Sequence, residues 1–346
     1  MNTIRWGIIG CGDVCEVKSG PAFRKVQGSA LVAVMRRDAA KAADYASRHG
    51  VARWYTDADQ LINDSEVDAV YIATPPGHHE EYTLRVAAAG KPCYVEKPMA
   101  RSYAECNRMN QAFATAAKPL FVAYYRRRLP RFVKARQLID SGQLGVVTAC
   151  HYRLTRYFWP NPPGQWRLNA KESGGGIFMD LASHTLDLLD YLLGAFVEFG
   201  GTAHGTGVTD VEDSVALHFQ TERGIVGTAS WNFAGSTFED SIEIIGTEGR
   251  LAMSTFGKEP LRLMREQQGE EEAASSETFD CPTPEHLQQP LIQTMVDQLL
   301  GHGTCPSTGD SAARTARVMD AALQSYYGSR DGAFWERPET WPGRRK

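Results

Sequence analysis

Ile4-Arg5-Trp6-Gly7-Ile8-Ile9-Gly10-Cys11-Gly12-Asp13-Val14-Cys15 opens the chain with a short apolar run that stops at a Gly-x-Gly turn. The run fits one buried strand and is too short for a helix. Gly10 permits the tight turn after such a strand. Gly12 lets main chain approach a pyrophosphate, and Asp13 and Val14 start the helix that would face it. Cys15 fills the third small position of this dinucleotide fingerprint, where glycine or alanine is usual.

The same grammar repeats downstream. Strand-like runs at Ala30–Met35, Ala69–Ile72, Pro92–Val95 and Leu120–Ala123 alternate with helix-period segments. Two of these are Asp38–His49, with Asp38 as N-cap, and Glu80–Ala89, stopped by Gly90. The alternation predicts an α/β architecture over residues 1–123: a doubly wound, parallel Rossmann sheet covered on both faces.

After Pro130 the pattern changes. One helix ends at Gly142 and Val146–Arg156 alternates as a strand. Strand-like stretches then follow at Phe196–Thr202, Ser214–Phe219, Gly224–Asn232, Ser241–Ile245 and Arg250–Ser254, joined by short glycine turns. They predict an antiparallel meander. With helices at His286–Leu300 and Ser311–Ser329, they make residues 124–346 an α+β domain. Glu270-Glu271-Glu272 with Ser275 and Ser276 reads as a solvated loop.

Composition narrows the partner. A net charge of -4, from 37 basic and 41 acidic residues, leaves no electrostatic footprint for nucleic acid or an anionic membrane. A small molecule is expected instead. No apolar run reaches transmembrane length, and the first residues leave no room for a secretory leader. The 7 cysteines form no C-x-x-C pair, so they read as reduced thiols of a cytoplasmic protein.

Candidate chemistry sits at the strand ends, where open α/β sheets place ligands. One such end is Thr74-Pro75-Pro76-Gly77-His78-His79, a rigid turn; another is Glu96-Lys97-Pro98. The Lys97 ammonium can donate to a substrate oxygen on which negative charge develops. Because only proline makes cis cheap, a turn that must aim this ammonium predicts a cis Lys97–Pro98 bond. Arg36 and Arg37 end the second strand, where NAD enzymes commonly keep a carboxylate for the ribose 2′-OH. Guanidinium there predicts NADP as the preferred cofactor, with NAD possible.

In the second domain, Gly174-Gly175-Gly176 precede Asp180 and His184, four residues apart on one helix face. The glycines would let something come close to the helix start. No thiolate cluster and no H-E-x-x-H supplies the rest of a metal site, so no metal is expected. A short-chain dehydrogenase would need Tyr-x-x-x-Lys, and no lysine here has a tyrosine four residues before it.

In order and spacing, G-x-G-x-x, T-P-P-x-x-H, E-K-P and G-G-G-x-x-x-D-x-x-x-H together resemble the Gfo/Idh/MocA family of oxidoreductases, from Ile4 to about Ser329. The resemblance implies a catalytic trio of Lys97, Asp180 and His184. It implies cofactor contacts from Pro75, Pro76 and His79, with proline at the usual Asn position, and from Glu96 and Lys97. Trp166-Arg167 matches a W-R pair that reaches the cofactor in some members. Tyr124 and Arg127 fit an aromatic-x-x-R segment beside which Tyr125 and Arg126 would meet substrate. The family also implies a second domain built on a large, open, mostly antiparallel sheet, whose outer face packs against another subunit in a homodimer or homotetramer.

The expected activity is hydride transfer between NADP(H) or NAD(H) and a carbinol carbon of a sugar, polyol or related hydroxylated molecule. Imidazole, ordinarily titrating near 6.5, suits His184 to proton exchange at neutral pH. The alternative is a nicotinamide-sensing regulator of the same fold without turnover.

Overall fold

The computed structural model describes residues 2–157, 165–265 and 275–344. The chain divides into two compact units: Met1–Leu129 with Pro284–Ala316, and Pro130–Thr283 with Arg317–Lys346.

The first unit runs β1(Ile4–Ile9), α1(Asp13–Val17), α2(Ala22–Lys25), β2(Ser29–Met35), α3(Ala39–His49), β3(Arg53–Tyr55), α4(Ala58–Ile62), β4(Ala69–Ile72), α5(His79–Ala88), β5(Cys93–Val95), α6(Tyr103–Ala116) and β6(Leu120–Val122). The strands pair in the order β3-β2-β1-β4-β5-β6, every pair parallel. This is the Rossmann order, and it reverses between β1 and β4, the switch point outside which ligands bind.

Asp38 caps α3 as its sequence position predicts, its carboxylate accepting from Lys41 N at 3.1 Å. Gly90 takes the left-handed stop at φ 67°. Both sheet faces are covered. Trp6, Phe23, Tyr71 and Tyr94 lie in one core, and Val70, Ile72, Val86, Cys106 and Phe113 in the other.

The single boundary expected at 123/124 is corrected here. Residues 284–316 return to the first unit, because α10(Gln289–Leu299) buries Leu291, Ile292, Met295 and Val296 in the core that holds Trp6 and Phe23. Each such side chain is worth roughly 1.5–3 kcal/mol of burial.

The second unit contains α7(Pro130–Asp140), β7(Val147–Tyr157), α8(Ala170–Ser173), α9(Ile177–Leu193), β8(Phe196–His204), β9(Ser214–Thr221), β10(Val226–Gly235), β11(Glu239–Gly246), β12(Arg250–Met253), β13(Leu261–Arg265) and β14(Ser275–Phe279). The last helix, α11(Gly309–Tyr327), begins in the first unit and ends in the second. The eight strands lie in the order β14-β13-β12-β11-β7-β10-β9-β8.

The expected meander therefore fails at one place: β7 inserts between β10 and β11 and pairs parallel with β10. The three residues 236–238 must cross over it. Two strand spacings are about 10 Å, and three extended residues reach about that far. Ser275 and Ser276 begin β14 rather than continuing a loop, and Glu270, Glu271 and Glu272 lie outside the described residues.

α9 lies on the inner face of this sheet, with Phe178 edge-on to Trp231 at 5.0 Å. The outer face is polar, carrying His151, Arg153, His218, Thr228, Ser230 and Glu243. Among the described residues no helix is long and apolar enough to cross a membrane. No disulfide forms among the described residues.

Candidate active site

In the first unit, Gly10 takes φ 86°, and a Cβ there would stand 2.8 Å from Thr74 Cγ2 and 3.1 Å from Thr74 N. Only glycine lets the β1 and β4 ends meet so closely. At Gly12 a Cβ would meet nothing nearer than Gly10 O at 3.9 Å. Open space over bare main chain is what a dinucleotide pyrophosphate requires, so this loop fits the cofactor that the fold implies. Asp13 is exposed and Val14 half-buried beside it. Arg36 follows β2 directly, and its guanidinium donates to Cys11 O in the same loop at 3.3 Å. Arg37 is exposed.

The β4 exit is built differently from the expectation. Thr74 and Pro75 are half-buried, whereas Pro76 is buried and His79 is 0% exposed. His79 Nε2 faces Thr74 O at 2.8 Å, and Nδ1 faces Pro98 O and Met99 O at 3.0 and 3.2 Å. Burial lowers its pKa, while the facing carbonyls of Thr74, Pro98 and Met99 work in the opposite direction. Pro76 and His79 thus offer little or no side-chain surface to a ligand. They are packed inside, and His79 braces the β4 exit against the Lys97–Met99 turn.

That turn contains a cis Lys97–Pro98 bond, as its position predicts. Lys97 is half-buried, and Glu96 beside it is 7% exposed. Glu96 does not face outward either. Its Oε1 accepts from Tyr71 OH and Gln288 Nε2, each at 2.6 Å, and its Oε2 accepts from Lys97 N at 3.1 Å. Tyr125 and Arg126 are buried at 5% and 7%, with the Arg126 guanidinium 5.1 Å from the Tyr125 ring centre. Each keeps a small open surface, no smaller than that of His184 at 4%.

In the second unit, Arg167 Nε donates to Asp180 Oδ2 at 2.7 Å, and the guanidinium lies 4.4 Å over the Trp166 ring. Arg167 and Asp180 line a cavity of about 390 Å³ with Arg156, Tyr157, Gln165, Ile177, Leu181 and Phe233. Its mixed lining and size suit a molecule of sugar dimensions. His184, one helical turn on, is 4% exposed, with Phe256 edge-on at 6.1 Å. Asp240 fixes that neighbour: its carboxylate accepts from Thr255 N, Phe256 N and Gly257 N at 3.1, 2.5 and 2.8 Å.

What comes close at the triple glycine, as its small residues allow, is a side chain of this chain. Glu212, 1% exposed, accepts from Gly176 N at 2.8 and 2.9 Å and from the Tyr327 hydroxyl. A Cβ on Gly176 would stand 2.4 Å from Glu212 O. Glu212 thus holds the start of α9, the helix of Asp180 and His184.

Burial pushes the Glu212 carboxyl up to about 6 from 4.5. The folded state then binds this proton more tightly than the unfolded state does. Its contribution to stability is fully present below about pH 4.5 and is lost as pH rises through 6, about 2 kcal/mol in all. Urea melts should show wild type losing about that much stability relative to Glu212→Gln between pH 4.5 and 7.5. A pH-independent difference between the two would remove the assignment.

Arg156, Tyr157, Gln165, Phe233, Glu212 and Asp240 were not legible as site residues. Their places depend on partners tens of residues away.

Comparison with known proteins identifies the family and the fold. The model of an oxidoreductase family with an NAD-binding Rossmann fold matches residues 4–124, and that of the GFO/IDH/MocA C-terminal domain matches residues 132–252. Oxidoreductase P35 of Formosa agariphila is 37% identical over 322 residues, covering 92% of this chain and 97% of its own. A 1,5-anhydro-D-fructose reductase of Ensifer adhaerens is 28% identical, covering 92% and 96%. A levoglucosan dehydrogenase solved in complex with NADH superposes with a TM-score of 0.84 at 22% identity, over 93% of this chain and 96% of its own, a likeness of fold.

Proposed function

This chain belongs to the GFO/IDH/MocA oxidoreductase family, and from that premise we propose that it exchanges hydride between NADP(H) and a carbinol carbon of a sugar, polyol or related hydroxylated molecule. NAD(H) is the second choice of cofactor. The observation that carries the substrate class is the cavity beside Asp180, which offers carboxylate, guanidinium, amide and phenol groups together with the Phe233 ring. Two relatives act, by name, on anhydro-sugars, which supports the same class.

The catalytic groups of this reading are Lys97, Asp180 and His184. When bound, the dinucleotide supplies the hydride acceptor or donor. The Lys97 ammonium donates to the reacting oxygen and stabilises charge as it develops. His184 and Lys97 are the groups that hold or pass the carbinol proton. Asp180, steadied by Arg167, accepts from a substrate hydroxyl. Gly10, Gly12, Asp13, Val14, Arg36, Arg37, Thr74 and Pro75 shape the dinucleotide site, and Trp166 stays beside Arg167.

The test is turnover of NADP and NAD against a panel of aldoses, ketoses, inositols and dihydrodiols, and their carbonyl counterparts with the reduced cofactors. Dinucleotide binding without turnover across the panel would favour the sensing role instead. We propose a cytoplasmic protein, a reading that rests on scattered cysteines with no C-x-x-C pair; a periplasmic or secreted pool by fractionation would contradict it.

We also propose a homodimer or homotetramer that covers the outer face of the eight-stranded sheet. Its polar character predicts a wet interface rather than an apolar one. Light scattering at micromolar concentration should give at least twice the 38.2 kDa chain mass, and a concentration-independent monomer rules this out.

A further inference from the structure

We propose that Gln288 is a positioning residue for Lys97, acting through Glu96; its catalytic importance rests on Lys97 being a catalytic group, but the contact itself does not. Gln288 is 0% exposed and stands just before α10. Its main-chain N donates to Lys18 O at 3.3 Å, which pins the residue to the first unit's core. Its side chain sits between two groups. The Tyr94 hydroxyl lies 2.7 Å from its amide oxygen, and Glu96 Oε1 lies 2.6 Å from its amide nitrogen.

The chemistry fixes which way this amide points. A carboxylate only accepts, so the Gln288 nitrogen must face Glu96, and the amide oxygen is left for the phenol. Burial raises both the Tyr71 and Tyr94 hydroxyls well above their ordinary pKa, so both stay protonated and can donate. The Tyr71 hydroxyl donates a hydrogen bond to the same Oε1 at 2.6 Å, and its ring stacks on Tyr94 at 4.7 Å. Two donors thus hold Oε1, and the other oxygen is turned to the Lys97 N–H.

Removing the Gln288 amide leaves a buried carboxylate oxygen short of a donor, which is costly. Glu96 Oε1 then keeps only the Tyr71 hydroxyl as donor, which changes what stands beside Lys97. Gln288→Glu does something different. It sets two carboxyl groups within hydrogen-bond distance, so the pair keeps one shared proton until the pH is high enough to remove it.

The readout needs no substrate. Competitive acylation of the full-length protein, followed by mass spectrometry, measures the reactivity of Lys97 relative to the exposed Lys41 across pH 5–9. In Gln288→Leu this ratio should change by at least about threefold, while dinucleotide binding is retained. In Gln288→Glu it should gain a new pH-dependent step absent from wild type. Should the leucine variant fail to fold, the glutamate variant decides alone. A ratio within twofold of wild type in Gln288→Leu, or an unaltered profile in Gln288→Glu, overturns the proposal. Retained turnover in Lys97→Ala would instead overturn the catalytic reading and leave this contact standing.

Discussion

Lys97→Ala and His184→Ala are each expected to lower kcat by about 10²- to 10⁴-fold, the usual worth of a positioned acid–base group. Dinucleotide affinity should change little in either. The Gly10–Val14 loop and the β2 end, proposed to bind the dinucleotide, are untouched by both substitutions. The two effects have different local causes. Lys97 follows a buried carboxylate, Glu96, which accepts from the Lys97 main-chain N–H at 3.1 Å. His184 is nearly buried on a helix whose start is locked by Glu212 and whose flank is closed by Phe256. Stopped-flow or steady-state rates on whichever panel substrate turns over, with cofactor Kd from fluorescence quenching, separate chemistry from binding. Full turnover in both variants would end the assignment.

The second large effect expected is cofactor choice. NADP should be preferred over NAD by at least tenfold in kcat/KM, and Arg36→Ala/Arg37→Ala should abolish most of that preference. Each hydrogen bond to a charged group is worth about 1.5–3 kcal/mol, roughly tenfold to a hundredfold. β2 ends at Met35, so the two arginines occupy the strand end itself. Arg36 is tied to the glycine loop through Cys11 O. The nearest carboxylate, Asp38, is already engaged as the N-cap of α3, and the Lys41 N–H that it accepts lowers its pKa. Equal use of both cofactors, unchanged by the double substitution, would show that these arginines do not read the 2′-phosphate.

Much of this architecture was legible because it is local. Buried strands such as Ala69–Ile72 announce themselves by composition, and the glycine turns at 221–224 and 246–249 mark their hairpins. β3 escapes notice because it is three residues long, half-exposed and at a sheet edge. α6 carried a readable start, Ser102 with Glu105 three residues on, and Ser102 does accept from Glu105 N at 3.4 Å. Insertion of β7 beside β10 has no local signature at all, since turn residues say where a chain reverses and not which strand will fill the gap. The site divides the same way. Motif positions at strand ends could be found, but Pro76, Glu96 and His79 turned out to face inward. Glu212 and Gln288 act on partners 36 and 192 residues distant, a separation that no pattern in one sequence reveals.

The return of residues 284–316 to the first unit bears on how the protein is made. A chain emerging from the ribosome presents the whole six-stranded sheet long before α10 exists. Trp6, Phe23, Tyr71 and Tyr94 must wait, with one side of their core unfinished, while the entire eight-stranded sheet is synthesised. At about 5–20 residues per second that delay lasts many seconds, far longer than a helix needs to form. Nascent chains arrested near residue 270 should be protease-sensitive around Phe23, and chains arrested well past 316 should be protected. The N-terminal unit, first to be translated, is thus among the last to be completed.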